Sequence, residues 1–422
     1  MNRKWTRRTV IGAGSSAVAA ALAAPYISRG FAQGGSITVG TEAGSPYDTF
    51  YRDHAADFTA TTGVNVEFVA IPHDNIRQTF VQDALAGGGG FDVYIADQVW
   101  LPEFFENGFI IDLSGSVDAT DLQDFSETGI QTTSYKGALV ALPIMVHNCA
   151  MYWRKDYLGE VGFDAPPTTW EEYTKIAAAV TKGDVWGTMI LSKQGIEAAT
   201  RLNSFYQQAG QDIVDGDGNP TIDTDAGRAA LEFMKSMVFD AKAAPEGVLE
   251  LPDMQGAWLE GKLALAPVWP YLYSLSLDPV GAGNFAIGTA PGIDGPKGGT
   301  VYSWGFAAAS GAANPAAAIE WVKWSTSSEM LYQFGKKWLN PVPRASSIEK
   351  VRNDPDIAES DKAAISAMAA SAASGTSMPM VPYYSQLLEV LGVMQSGVMS
   401  GALTIAEALA QGQSQAEEAA RG

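Results

Sequence analysis

The sequence predicts an α/β protein with two lobes. From Ser36 onward, short apolar strands alternate with amphipathic helices, which is the pattern of a parallel sheet with helices on its faces. The alternation is interrupted near residue 143 and then begins again. The chain has 422 residues, whereas one hydrophobic core usually stops growing at about 250–300 residues. Two series of strands and helices in a chain of this length indicate two lobes.

The first series contains three strands and two helices. Gly63 follows the first helix directly, and glycine is favoured just after a helix end. Each helix connects two apolar strands, as in a parallel sheet. The strands are expected at 37–40, 64–69 and 91–96, and the helices at 47–62 and 74–86.

The second series starts after two consecutive strand-like segments. Thr169 as N-cap and Glu172 three residues later form a capping-box pattern, which predicts a helix beginning at Trp170. Gly401 divides the C-terminal tail, 383–420, into two helices. The remaining helices are expected at 170–181, 196–209 and 224–241, and strands at 138–143, 148–153, 185–190, 262–266, 284–290 and 302–309.

Residues 1–32 have the form of a twin-arginine export signal. Arg7 and Arg8 stand side by side before a soft apolar run from Gly12 to Pro25, and Ala32 ends a cleavage-like segment. The run is too short and too rich in small residues to span the ~30 Å hydrocarbon layer as a helix. We expect cleavage after Ala32 and export by the twin-arginine or the general secretory route. A dinucleotide-binding glycine loop and an uncleaved membrane anchor are the alternatives.

Charge and cysteine usage narrow the class of protein further. The formal net charge is −20, and residues 1–32 carry only basic charges, so the exported part is more acidic still. An acidic surface repels phosphate backbones and anionic lipid, which disfavours nucleic acid and membrane surfaces as partners. Cys149 is the single cysteine, so no intrachain disulfide forms, and the cleavage site has none to carry a lipid. The product is expected to be periplasmic, soluble and not lipid-anchored.

Several loose motifs are better explained as structure than as sites. Gly256–Lys262 has P-loop spacing, but Leu263 stands where the motif needs Ser or Thr, and the segment ends a helix rather than beginning one. The glycines of 87–90 precede a strand instead of following one. Residues 215–219 resemble half a calcium loop, yet an Asp-Gly turn explains them better. The three histidines show no metal-ligand spacing, so no metal and no cofactor is predicted.

No catalytic motif stands out in the chain. Neither a GxSxG elbow nor an HExxH pair is present. A pair of carboxylates for glycoside hydrolysis assembles in space rather than in sequence. We therefore predict a protein that is not an enzyme, with an exported glycoside-processing enzyme as the alternative.

Aromatic residues cluster where predicted strands and helices end. In an open α/β sheet, ligands bind beyond the carboxyl ends of the strands. An aromatic ring stacks on the C–H face of a pyranose, while a carboxylate accepts hydroxyl protons beside it. The pattern therefore favours a sugar-binding cleft. The clusters are Asp97–Trp100, Trp269–Tyr271, Tyr302–Gly305 and Pro382–Tyr384.

An ordered set of short motifs runs along residues 36–420. The motifs are Ile37-Thr38-Val39 with Glu42, the helix and strand over 50–67, Gly90–Tyr94, Leu142-Pro143, Ala150–Asp156, Pro166–Trp170, Glu260–Ala264, Trp304-Gly305, Ala316–Ser325 and Asn340–Arg344. Each motif is loose, but the ordered set is specific. Together they resemble the extracellular solute-binding proteins of family 1, which are the carbohydrate-binding components of ABC importers.

The resemblance implies the periplasmic binding protein fold. Its two lobes, each a mainly parallel sheet flanked by helices, would be 36–143 plus 306–341 and 144–305 plus 342–422, joined by a hinge of several strands. Hinge closure would trap a sugar or sugar-like solute and present it to the transmembrane permease subunits of the importer. The protein would act as a monomer and without cofactor. A sensor partner with the same fold and site is a further possibility.

The resemblance also implies ligand contacts at seven positions. Glu42 and Asp97 each follow a strand, and the others are aromatic or basic positions near the crossovers. Tyr302-Ser303 replaces the two glycines usual before Trp304, which leaves the role of Tyr302 open. Monosaccharide, oligosaccharide, polyol and, because of Arg77 and Arg344, sugar acid all fit. The seven positions are Glu42, Asp97, Trp269, Tyr271, Trp304, Arg344 and Tyr383.

Overall fold

The computed structural model describes residues 35–421, so the predicted export signal at 1–32 lies outside the described residues. Over 35–421, none of the helices combines the length and the apolar character needed to cross a bilayer. The strands are β1 Ser36–Glu42, β2 Asn65–Ile71, β3 Val93–Asp97, β4 Ser134–Tyr135, β5 Ala138–Leu139, β6 Leu142–Asn148, β7 Ala150–Arg154, β8 Leu265–Val268, β9 Phe285–Gly288, β10 Thr300–Ala308 and β11 Thr376–Ser377.

Helices surround these strands. They are α1 Pro46–Thr62, α2 His73–Leu85, α3 Leu101–Glu106, α4 Ala119–Leu122, α5 Glu127–Thr132, α6 Lys155–Glu160, α7 Trp170–Val180, α8 Ile196–Gln208, α9 Asp225–Phe239, α10 Leu251–Leu259, α11 Leu272–Ser276, α12 Pro315–Ser325, α13 Ser328–Trp338, α14 Ala345–Asn353, α15 Glu359–Ala373, α16 Tyr384–Met399 and α17 Ile405–Arg421. A 3₁₀ turn, Gln98–Trp100, and a π turn, Leu277–Gly281, complete the set.

The main sheet has six strands and brings the predicted strand ends together. Its order is β11-β10-β3-β1-β2, with β6 on the other edge of β10. β1 pairs in parallel with β2 and with β3, whereas β10 runs antiparallel to β3 and β6. Because β1, β2 and β3 point the same way, Glu42, Ile71 and Asp97 end at one edge of the sheet. This edge carries the candidate site.

A second, three-stranded sheet has the order β8-β7-β9 and is antiparallel. It has its own core, which contains Tyr152, Trp258 and Phe285. The chain passes into it from the main sheet through one residue, because β6 ends at Asn148 and β7 begins at Ala150. β7 of the second sheet is therefore joined by a single residue to β6, which borders the candidate site.

Local sequence signals explain where the helices begin and end. The Ser45 hydroxyl accepts the Asp48 backbone N–H at 3.1 Å at the start of α1, and Gly63 ends that helix with φ 76° and an N–H bond to the Thr59 carbonyl. The predicted capping box at the start of α7 is also confirmed. Such caps satisfy backbone groups that a helix end would otherwise leave without partners.

The predicted elements are confirmed with one clear exception. The strands and helices of the first series lie within three residues of their predicted ends, and Gly401 separates α16 from α17. The strand predicted at 185–190 is wrong. Trp186 forms only an isolated bridge to Leu263, and the Thr188 N–H then bonds to the Ala243 carbonyl, which draws the chain away from the sheet. The strand predicted at 138–143 is divided between β5 and β6.

Candidate functional site

A cavity of about 870 Å³ lies at the edge of the main sheet where β1 and β3 end. Its walls come from those strand ends, from β6 and β10, from the segment after β8, and from helices α2, α8 and α16. Pockets for small molecules usually measure roughly 300–1,000 Å³. The cavity is therefore large enough for a monosaccharide, a polyol or a short oligosaccharide.

Glu42 forms part of a small polar cluster at the end of β1. The Tyr47 hydroxyl donates a hydrogen bond to one carboxylate oxygen, and His73 Nδ1 lies 2.9 Å from the other. Tyr47 lies in the first turn of α1 and His73 begins α2, so both are placed by turns that follow parallel strands. The cluster fixes the direction in which the carboxylate faces the cavity.

Asp97 ends β3 and lies opposite Trp304 in the antiparallel pairing with β10. Its carboxylate accepts the Val99 backbone N–H at 3.2 Å and so caps the short 3₁₀ turn. Burial raises the pKa of Asp97 to about 7, and the negative charge of Glu42 adds to the rise, while the Val99 hydrogen bond and His73 oppose it. Near neutral pH this carboxyl group can therefore either accept or donate a hydrogen bond.

Three rings form the first aromatic group, which consists of Tyr47, Trp100 and Trp304. The Tyr47 and Trp304 rings stack with centroids 5.5 Å apart and an interplanar angle of 28°. Trp100 meets Trp304 edge to face at 5.5 Å and 84°. All three side chains are buried in the core and also border the cavity, so packing fixes their orientation. The result is a rigid apolar wall beside the carboxyl groups of Glu42 and Asp97.

The second aromatic group consists of His147, Trp269 and Tyr302 and forms another part of the cavity lining. His147 lies 5.0 Å from Trp269, and Tyr302 meets the Trp269 ring edge to face at 5.5 Å. The Tyr302 hydroxyl donates to Thr200 Oγ1 at 3.1 Å. Burial lowers the pKa of His147 to about 4, so its imidazole is neutral at pH 7. The three rings form a second apolar surface, which also carries the polar groups of His147 and Tyr302.

Glu197 and Arg201, which lie one turn apart on α8, both contact Trp269 and fix the position of its ring. The indole N–H of Trp269 points at both carboxylate oxygens of Glu197, 3.2 Å from each. The Arg201 guanidinium lies 5.3 Å from the centre of the Trp269 ring and 3.7 Å from Glu197. Its side chain is only 5% exposed, and it also donates to the thiol of Cys149. Burial raises the pKa of that thiol to about 12, so Cys149 stays protonated.

Five of the seven residues predicted from sequence line this cavity. They are Glu42, Asp97, Trp269, Tyr271 and Trp304. Tyr271 follows Trp269 after β8, and burial raises the pKa of its phenol, which therefore remains a hydrogen-bond donor at neutral pH. Residues as far apart in sequence as Glu42 and Trp304, which are separated by 262 positions, thus line the same cavity.

Arg344 is not placed in the cavity, and the predicted ligand contact there is not supported. Its side chain is 3% exposed and forms ion pairs with Asp121 at 2.7 Å and Asp124 at 3.1 Å. The guanidinium also lies 3.9 Å from the centre of the Phe125 ring. These contacts give Arg344 a structural role, because its hydrogen-bonding groups are already occupied by the protein.

Tyr383 also lies outside the cavity lining. Its hydroxyl donates to the Gly218 carbonyl, in the turn that contains Asp215 and Asn219. Tyr383 is the residue before α16, where the side chain points to that turn rather than along the helix face. The same helix instead contributes Ser385, Leu388, Glu389 and Gly392 to the cavity.

The sequence prediction missed several residues of the site. His73 lies two residues after the end of β2, and Glu42 is the last residue of β1, so the rule that ligands bind at strand ends could have found His73. Glu197 carries no such signal, because it begins a helix that reaches the cavity only in the folded chain. Tyr302, whose role the sequence left open, and His147 both line the cavity.

The rejected motifs have the structures expected of them. α10 ends at Leu259, and Gly261 has φ 71°, so the P-loop-like segment is a helix end. Asp215 accepts the backbone N–H groups of Asp217 and Asn219, as in a turn. In the part of the chain that the structure describes, no three His, Cys, Asp or Glu side chains come together as metal ligands would.

The arrangement of carboxylates and rings agrees with the comparison to known families. Residues 42–331 match the family of bacterial extracellular solute-binding proteins, and this range covers more than half of the chain. The chain belongs to that family. It is a family of solute-binding proteins and not of enzymes, and its members act outside the cytoplasm. The sequence prediction of the family is thereby confirmed.

Known relatives are similar to this chain in sequence, and solved structures share its fold. A probable ABC transporter-binding protein of Deinococcus radiodurans is 26% identical over 64% of this chain. The match spans 66% of that relative, which is just under two thirds of its length. Maltose-bound MalE3 of T. maritima has a TM-score of 0.81 at 21% identity, covering 91% of this chain and 99% of its own. A solute-binding protein of Agrobacterium radiobacter K84 in complex with ribitol has a TM-score of 0.78 at 24% identity, covering 92% and 99%. The two-lobed fold predicted from the sequence is therefore confirmed.

Proposed function

We propose that this protein is the solute-binding component of an ABC importer and that it captures a sugar or polyol in the cavity. The observation that carries the proposal is the pair of carboxyl groups, Glu42 and Asp97, beside the stacked rings of Tyr47 and Trp304. Rings offer a surface for the C–H face of a sugar, and carboxylates accept its hydroxyl protons. Relatives named or solved with maltose, ribitol and erythritol support the same class of solute.

The groups in the cavity are sufficient for binding in the usual range. A micromolar dissociation constant corresponds to about 8 kcal/mol. Ring contacts contribute about 1 kcal/mol each, and charge-assisted hydrogen bonds about 1.5–3 kcal/mol each. A few contacts of each kind reach that value after the cost of ordering the ligand. No chemical step is needed, and the proposed role is reversible capture without turnover.

The proposed hinge crosses β6 and β10. We assign the lobes to 36–143 plus 306–341 and 144–305 plus 342–422, so two of the crossings fall inside this strand pair. The β6–β10 pairing has a register irregularity at the same place, because Trp304 pairs with Met145 while Gly305 pairs with Pro143. A bulge leaves a backbone group outside the regular ladder and bends the strand. This local break supports a rotation of the lobes about these strands, which would close the cavity over a ligand.

Export and delivery complete the proposal. The protein would leave the cytoplasm through its N-terminal signal, by the twin-arginine or the general secretory route, and would act in the periplasm as a monomer without a lipid anchor. The closed, loaded form would be recognised by the transmembrane permease subunits of the importer.

Thermal unfolding in the presence of neutral sugars and polyols tests the proposed function. A ligand that binds only the folded state raises the melting temperature by mass action. We expect a rise with at least one member of a panel containing maltose, glucose, galactose, ribitol and erythritol. The absence of any shift across the panel would contradict the proposal. Release of a cleaved product, detected by mass spectrometry, would favour the glycoside-processing alternative.

A further inference from the structure

The charged side chains that line the cavity are mainly acidic. Carboxyl groups come from β1, β3, α8 and α16, which surround the cavity on different sides. Arg77, on α2, is the one arginine or lysine in the lining formed by the described residues. His147 is neutral at pH 7, because burial lowers its pKa to about 4. The acidic residues are Glu42, Asp97, Glu197 and Glu389.

Arg77 is already engaged by a carboxylate that lies outside the lining. Its Nε donates to Glu103 at 3.0 Å, and its Nη2 donates to the two oxygens of Glu103 at 2.7 and 2.6 Å. This is the two-pronged geometry in which guanidinium groups bind carboxylates most strongly. Glu103 lies on α3 and neutralises the positive charge of Arg77. The Nε–Nη2 edge of the Arg77 guanidinium is therefore occupied by the protein.

Two of the four lining acids have a basic neighbour. Glu42 lies beside His73, and Glu197 lies 3.7 Å from Arg201. Among residues 35–421, no ion pair offsets Glu389, and Asp97 carries only part of a negative charge at pH 7, because burial raises its pKa to about 7. The cavity therefore keeps an excess of negative charge, and Arg344, the other basic candidate from the sequence, is buried elsewhere with Asp121.

We propose that the lining acids make the cavity select hydroxylated solutes that are neutral or carry an amine over their carboxylate counterparts, and that Glu103 preserves this selectivity by engaging Arg77. The inference rests on the proposed function and narrows its solute class, since it removes sugar acids. Like charges within a few ångströms oppose each other strongly where protein replaces water. A ligand carboxylate would meet this opposition while Nε and Nη2 of Arg77, the one arginine in the described lining, are bound to Glu103.

Calorimetric titration of the full chain with matched solutes separates charge from shape. The neutral probes are glucose, galactose and ribitol, and their carboxylate counterparts are glucuronate, galacturonate and ribonate. Glucosamine and galactosamine supply the amines. At pH 7, we expect each carboxylate to bind at least tenfold more weakly than its neutral counterpart, and each amine to bind no more weakly. Equal affinity of a neutral probe and its carboxylate would overturn the inference while leaving the proposed function intact.

Substitution of Glu103 tests the residue itself. Glu103→Gln should remove the negative charge that neutralises Arg77 and should improve carboxylate binding relative to the neutral probe by at least tenfold. Glu106→Gln is the matched control, because Glu106 lies on the same helix, pairs with Lys136 and is absent from the cavity lining. The double variant Arg77→Gln/Glu103→Gln should lose the gain. An unchanged preference in a folded Glu103→Gln protein would contradict the role of Glu103.

The two proposals fail in different ways. If none of the neutral, amine or carboxylate probes binds, both the proposed function and the inference are contradicted. If Glu103→Gln does not fold, Arg77→Gln alone decides the matter: rejection of carboxylates should persist, because it arises from the lining acids. Carboxylate binding restored by Arg77→Gln would overturn the inference.

Discussion

Trp269 and Glu197 are joined by an indole N–H that lies 3.2 Å from both carboxylate oxygens. The contact connects the segment after β8 to the first turn of α8, and it fixes the plane of a ring that borders the cavity. Arg201, buried behind the ring, stabilises the same arrangement. The orientation of the second aromatic group therefore depends on a carboxylate that need not touch the ligand.

Glu197→Ala should weaken solute binding by about tenfold, which corresponds to ~1.4 kcal/mol. The physical reason is that Trp269 loses its hydrogen-bond acceptor and can rotate away from the cavity. Calorimetry with the solute identified by thermal unfolding measures the change, and tryptophan fluorescence reports the freed ring. Glu232→Ala, at an exposed position on α9, is the control. Unchanged affinity and fluorescence would show that Glu197 does not position Trp269.

Trp304→Ala should weaken binding by at least tenfold and should also lower stability. The ring is 8% exposed, stacks on Tyr47 and borders the cavity, and truncation of a buried tryptophan costs about 3–5 kcal/mol. Trp258→Ala provides the comparison, since Trp258 is fully buried in the core of the small sheet, away from the cavity. Both variants should unfold at lower denaturant concentrations, but only Trp304→Ala should lose affinity. Equal affinity loss in the two variants would assign the effect to stability alone.

The stability of the Asp97→Asn variant relative to that of the unsubstituted protein should increase as the pH rises. The pKa of Asp97 is raised to about 7 in the folded protein, mainly by burial, so the folded state binds its proton more tightly than the unfolded state does. The resulting stabilisation is complete below about pH 4 and is lost as the pH rises through 7. Asn keeps a neutral side chain at every pH. Melting temperatures of the two ligand-free proteins at pH 4, 6 and 8 should diverge in favour of the variant. Parallel curves would contradict the raised pKa.

Arg344→Gln should destabilise the protein and leave solute affinity unchanged. Removing one member of a fully buried ion pair costs about 3–5 kcal/mol, and we expect about 2 kcal/mol here because the carboxylates of Asp121 and Asp124 still reach water. Urea unfolding and calorimetry on the same preparation measure both quantities. A loss of affinity at unchanged stability would return Arg344 to the binding site.

The sequence predicted what depends on neighbouring residues. Alternating periodicity located β1, α1 and β3 within three residues, because a helix or strand is recognised from the residues that form it. It failed at residues 185–190, where Trp186 bridges Leu263 and a side chain on Gly187 would collide with the Ala177 carbonyl. Such crowding between distant segments leaves no local pattern.

The same distinction applies to the site. Glu42, Asp97 and Trp304 could be predicted because strand ends and aromatic positions are visible in the chain. Glu197 could not, since nothing near it indicates that its helix begins at the cavity. The family resemblance predicted a ligand contact for Arg344. Its ion-pair partner Asp121 lies 223 positions away, so the sequence near Arg344 does not indicate the ion pair.

β10 carries two cavity rings, Tyr302 and Trp304, and the backbone N–H of Ser303 between them donates a hydrogen bond to Gln98 Oε1 at 3.2 Å. Successive side chains of a strand face opposite ways. Insertion or deletion of one residue in this strand would turn Tyr302 and Trp304 away from the cavity and bring their neighbours to face it, although the composition of the strand would hardly change. Replacement of an individual ring can therefore change the cavity surface without disturbing the register of β10, whereas an insertion or deletion within the strand would disturb it.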